Sequence, residues 1–72
     1  MPSIPSITQC VFRWLALGLI TAQYETVSGY GETRIAAYGR LLENLYDAHC
    51  EKLDSRQAEE FYGAIMAARM GQ

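Results

Sequence analysis

Charge is nearly absent from the first third of this chain: Arg13 is the only acidic or basic residue before Glu25. Cysteine is limited to Cys10 and Cys50, proline to Pro2 and Pro5, and histidine to His49. Two cysteines do not make a disulfide scaffold, and one histidine beside them does not supply the four converging ligands of a structural zinc site. Basic residues number six against eight acids, for a net charge of −2, and they are scattered. No basic stripe can track a phosphate backbone, so direct nucleic-acid binding is not expected. No apolar run reaches the ~20 residues of a membrane span, and no membrane contact is expected. Arg13 ahead of an apolar block, with Ala22 behind it, imitates a secretory signal, but the charge comes late and the block is short. The expectation is a soluble, cytoplasmic protein.

What the first third does hold is the run CVFRWLALGLITA from Cys10 to Ala22, more apolar surface than one side of a small helix needs. A chain of 72 residues is one domain, 1–72, and folding buries only about 60% of the surface of so short a chain. A single core of this size rarely supplies more than ~3–5 kcal/mol, so self-association is an expected supplement.

Local signals read as helices throughout. Residues 1–6 form an extended lead-in, and Ser6 with Gln9 three residues on has the capping-box pattern. Helix 1 is expected over 7–26, ended by Ser28, Gly29, Tyr30 and Gly31. Helix 2 is expected over 32–52, where Ile35, Tyr38, Leu42, Leu45, Tyr46, His49 and Leu53 fall on one stripe. A second capping box, Asp54 and Gln57, opens helix 3 over 55–70, with its stripe at Ala58, Phe61, Tyr62, Ile65 and Ala68. The expected fold is all-α: a small three-helix bundle on an antiparallel helix 1/helix 2 hairpin, dimeric. Such a hairpin turning near Tyr30 sets Cys10 level with Cys50 and Trp14 level with Tyr46. A Cys10–Cys50 bridge is then geometrically open, although reduced thiols are favoured without an export signal.

Helix 1 read this way has two apolar sides. Ile7, Cys10, Trp14 and Leu17 close the hairpin, while Phe12, Leu15 and Leu19, with Ala16, are surplus and assigned to self-association. The alternative is that helix 3 covers them within a monomer.

No catalytic constellation emerges. Cys50 and His49 lack an Asn or Asp placed to orient the imidazole, and a domain this small leaves little room for a cleft. Gly29-Tyr30-Gly31-Glu32 has neither the lysine nor the full glycine spacing of a phosphate loop. No catalytic residue, metal or cofactor is assigned. The expected function is non-enzymatic: a protein-interaction module, an inhibitor or adaptor that covers a site on a larger protein. By analogy of size and charge, phage- or plasmid-borne anti-CRISPR and other anti-defence proteins belong to that class. Candidate partner-binding residues are exposed Tyr30, the acids Glu43, Asp47, Glu51, Glu59 and Glu60, and the soft pair Met66 and Met70.

The stretch Leu53-Asp54-Ser55-Arg56-Gln57-Ala58-Glu59-Glu60-Phe61-Tyr62-Gly63-Ala64 resembles the start of the last helix in the Hha/YmoA family of small bacterial gene-expression modulators. That resemblance covers about a dozen residues and carries over no functional residue. It implies the alternative function, a small transcriptional modulator acting through a nucleoid or DNA-binding partner. A direct helix-turn-helix reading of helices 2 and 3 is opposed by Glu59 and Glu60 on the would-be recognition helix.

Overall fold

The computed structural model describes residues 4–71, and over them the chain is α+β, not an all-α bundle. Helix 1 does not form. Residues 7–26 instead make a short 3₁₀ turn (Ile7–Gln9), strand β1 (Val11–Trp14), a looped tip and strand β2 (Ile20–Tyr24). Strand β3 (Val27–Gly31) follows, then helix α1 (Arg34–His49), a 3₁₀ turn (Cys50–Lys52) and helix α2 (Ser55–Met70). The sheet is an antiparallel meander in the order β1-β2-β3. With no helix 1, the inferred levels of Cys10 with Cys50 and of Trp14 with Tyr46 lose their basis. Both cysteines are free thiols.

The physical reason lies in the residues of β2 and β3. Ile20, Ala22 and Tyr24 alternate with Thr21 and Gln23, and the first set is buried or half-buried toward the core. Cross-strand partners share a face, so Ile20 opposite Gly31, Ala22 opposite Gly29 and Tyr24 opposite Val27 form the inner face. Glu25 and Thr26 form the two-residue link between these strands, with Glu25 at a φ of 55°. The Ser6–Gln9 contact is real: Ser6 N–H donates to Gln9 Oε1 at 2.8 Å. It closes one 3₁₀ turn and goes no further, because the chain is already extended at Cys10.

Gly29 and Gly31 do not turn the chain between helices. Neither takes a positive φ; among the glycines only Gly18, in the β1–β2 loop, does so. They are there for proximity. A Cβ on Gly29 would stand 2.3 Å from the Leu41 backbone nitrogen, and one on Gly31 would stand 2.5 Å from that of Ala37. Helix α1 lies directly on the backbone of β3, and Asn44 fastens it by donating from Nδ2 to the Ser28 carbonyl at 2.8 Å. Thr33 caps the helix, its Oγ1 accepting from Ala36 N–H at 3.1 Å.

Helix α1 is buried on two sides. Ala37 and Leu41 face the sheet, while Gly39 meets Ala68 and Tyr46 meets Phe61 across an antiparallel α1–α2 hairpin. Helix α2 is opened by Asp54, whose side chain accepts from Gln57 N–H at 2.8 Å. It contributes Phe61, Ile65 and Ala68 to the buried interior. The lead-in is anchored as well: Pro5 is fully buried, and Tyr38 Oη donates to its carbonyl at 2.6 Å.

These contacts order three glycine substitutions. Gly29→Ala should destabilise the protein by about 1–3 kcal/mol or more, since only backbone can yield. Gly39→Ala, with 3.2 Å to Ala68 Cβ, should cost less. Gly63→Ala sits mid-helix with nothing within 4 Å and should stabilise by about 0.5–1 kcal/mol. Urea unfolding followed by circular dichroism measures all three.

Candidate interaction surfaces

Two surfaces stand out, at opposite chemical extremes. The first is the β1–β2 hairpin. Helix α1 lies against β3 and β2, and β1 overhangs as the sheet's outer strand. The register sets Phe12 opposite Ala22 and Trp14 opposite Ile20, all on the inner face, while Val11 and Arg13 point to the outer one. Phe12 is half-buried and holds the Arg34 guanidinium 5.8 Å from its ring centroid. Trp14 lies beyond the cover and is 75% exposed.

Leu15 and Leu19 close the loop, Leu15 N–H donating to the Leu19 carbonyl at 2.7 Å. At the tip Leu17 adopts φ 67° and ψ 26°, and its side chain is 98% exposed. Branched side chains are uncommon in this left-handed region, which costs them about 1 kcal/mol or more. Val11, Trp14, Leu15, Leu17 and Leu19 thus stand exposed on one projecting hairpin whose only charged residue is Arg13. Of the three residues assigned to self-association, Leu15 and Leu19 are paired and exposed at the hairpin loop, while Phe12 lies on the inner face of β1 and packs against the core. Trp14 and Leu17, read as the buried side of a helix, are the hairpin's most exposed members.

The second surface is polar and lies along the α1–α2 groove. Glu43 is its centre, accepting from Arg40 at 3.1 Å and from Arg69 across the helix pair. Burial works against the Glu43 carboxylate, but the bonds from Arg40 and Arg69 outweigh it and hold its pKa below the ordinary glutamate value. On one side of this triad a depression of about 270 Å³ reaches Tyr30 and Gly39. On the other a groove of about 440 Å³ runs past Asn44 and Asp47 to Tyr46, Tyr62 and Met66. Tyr46 and Tyr62 rings lie 5.2 Å apart, and hydrogen bonding to Tyr62, with desolvation, raises the Tyr46 hydroxyl's pKa.

The proposed partner-binding residues therefore divide. Tyr30 lines the depression on one side of the triad and Asp47 and Met66 the groove on the other, with Glu43 lining both, although Tyr30 stands within β3 and not at a turn between helices. Glu51 is exposed on the 3₁₀ turn, Glu59 and Glu60 on the outside of α2, and Met70 at its end. Glu60 is paired with Arg56 at 3.5 Å. With Glu43 also tied to arginines, the acids do not form one open negative face. Sequence reasoning missed Arg40 and Arg69; the signal was the i, i+3 spacing of Arg40 and Glu43.

Among the described residues, no group of three or more His, Cys, Asp or Glu side chains converges on a point that could hold a metal. Burial pushes the Cys10 thiol up, away from a nucleophilic thiolate. No described helix is long and apolar enough to cross a membrane.

The Glu43 triad makes a pH prediction. Its folded pKa is depressed, so its contribution to stability is fully present above the ordinary glutamate range and is lost as pH falls through the folded value. Glu43→Gln should cost no more than about 1 kcal/mol at pH 7, because both arginines are largely exposed. The gap between variant and parent should close as thermal melts are taken toward pH 3.

No family model, no curated protein and no solved structure matches this chain.

Proposed function

We propose that this protein is a non-enzymatic protein-interaction module that makes its contact through the β1–β2 hairpin. One observation carries the reading: Leu17, 98% exposed in a left-handed backbone conformation, is at the tip of the same hairpin that carries Trp14, 75% exposed. Within the isolated chain that leucine is unfavourable twice over. It strains the backbone at a position where Gly or Asn is the usual occupant, and it leaves its whole side chain in water. Burial against a second protein returns the apolar contribution, roughly 25 cal/mol for each Å² covered. The clustering matters as much as the exposure, since single surface leucines are ordinary and contiguous apolar patches mark contact sites. Trp14 at the root of the tip has the character of an interaction anchor, large and stiff with one polar atom.

The test separates folding from contact. Leu17→Asn should leave stability unchanged or raise it by up to about 1 kcal/mol, because asparagine tolerates the left-handed conformation better. A photo-reactive phenylalanine analogue placed at position 17 in expressing cells should give protein adducts on irradiation. Trp14→Ser in the same chain should reduce their yield several-fold. No adduct of any mass, with the chain folded and abundant, would overturn the reading.

A further inference from the structure

The sheet has two edges, and a side chain holds one of them. In an antiparallel pair, successive residues alternate between pointing their N–H and C=O toward the neighbouring strand and away from it. Leu15 N–H bonds the Leu19 carbonyl, so Leu19 faces β1, and Thr21 and Gln23 face it too, opposite Arg13 and Val11. Ile20, Ala22 and Tyr24 then turn to β3, and their partners Gly31, Gly29 and Val27 turn back to them. Ser28 and Tyr30, lying between those partners, point their backbone groups outward along the free edge of β3. The bond from Asn44 on α1 to the Ser28 carbonyl reaches the same assignment independently. No further strand lies beside β3 among the described residues.

We infer that Asn44 is an edge guard: its amide holds the pairing position of β3 and keeps the sheet from growing there by addition of another copy of the chain. An edge strand is a template for intermolecular pairing, and a small sheet with two free edges lets copies add without closing. Asn44 Nδ2 stands 2.8 Å from the Ser28 oxygen, where the N–H of an added strand would have to lie, at about 2.9 Å. A strand arriving at β3 must first break that bond and displace the amide.

The short strand makes one guard sufficient. Within Val27–Gly31 only Ser28 and Tyr30 face outward, so with Ser28 engaged a single residue is left to hold an added strand. The bonds one residue offers do not offset the entropy lost when a strand is ordered. Arg40, one turn before Asn44 on α1, lines the same depression as Tyr30, which sets a charged group at that remaining position as well. Seating the helix is a separate matter, since Ala37 and Leu41 already pack with Ile20 and Ala22 in the core, over the two glycines of β3. The guard acts on the edge remote from β1 and does not depend on what the hairpin contacts.

Removing the guard tests it. Asn44→Ala should assemble as concentration rises, its mean mass by light scattering climbing at roughly three- to tenfold lower concentration than that of the unmodified protein, the factor expected for one hydrogen bond no longer competed away. Asn44→Leu, which keeps bulk over β3 but cannot donate, gives the same comparison should alanine loosen the helix. Asn44→Lys restores a donor and places a charge at the edge, so it should match the unmodified protein. Adding Tyr30→Pro to Asn44→Ala removes an outward N–H while sparing the ladder to β2, and the gained assembly should disappear. Gly39→Ala, which loosens the helix pair with the edge intact, should not assemble and separates edge pairing from aggregation of unfolded chain. Alanine and leucine variants that keep a folded circular dichroism spectrum and match the parent's mass into the millimolar range would overturn the guard. Equal assembly by Gly39→Ala, or by the variant carrying Tyr30→Pro, would overturn it too.

Discussion

Helix α1 can lie on β3 only because two side chains are missing beneath it. Gly29 and Gly31 let the helix backbone approach within what would be 2.3 and 2.5 Å of a Cβ, and the rest of the packing follows from that approach. With α1 seated so low, small Ala37 and branched Leu41 suffice to fill the space above Ile20 and Ala22. The far side of α1 is then free to receive α2, where a third close approach, Gly39 against Ala68, keeps the layers thin. A thin structure suits a chain too short to enclose a large core. It also sets the limit of the cover, since a helix drawn onto β3 meets β1 at Phe12 and leaves Trp14 exposed.

Much of the second half was readable from residue pattern. The Asp54 and Gln57 box opens α2 through two hydrogen bonds of the expected kind, and Phe61, Ile65 and Ala68 face inward at helical spacing. The stripe on α1 was read from its larger residues. Its sheet-facing side, marked by Ala37 and Leu41, carries so little bulk that it gives a weak periodic signal. The first third was misread because CVFRWLALGLITA is apolar almost without interruption, and an unbroken apolar run fits either period. The alternation that would have marked a strand begins only at Ile20, with Thr21 and Gln23 pointing the other way. Two glycines spaced two apart were taken as a turn, while in the fold they lie on one strand face, as a period of two requires.

The functional surfaces were readable in membership more than in shape. Leu15 and Leu19 are close together in space because a hairpin loop folds one back onto the other, while Phe12 is turned to the core. Trp14 and Leu17 could be placed only with coordinates, since exposure of a large apolar residue has no sequence signature. The acids were treated as one class, yet Glu43 is held between two arginines and Glu60 beside another, so neither presents a bare charge. Arg69 reaches Glu43 from 26 positions away in sequence, a pairing that follows from the antiparallel closure of α1 on α2 and not from local spacing.

The overhang of β1 divides the molecule into parts of unequal cohesion. The buried side of α1 is packed between the sheet and α2, so its hydrogen bonds open only with that packing. The amides of β1 are held by one neighbouring strand and by little apolar cover, so their hydrogen bonds can break in local fluctuations that leave the helices intact. The segment that carries the exposed tryptophan and leucines is therefore also the one with the greatest freedom to adjust its shape. In the free chain it can exchange with solvent on its own timescale, while the α1–α2 pair and the β2–β3 hairpin under it remain a fixed frame.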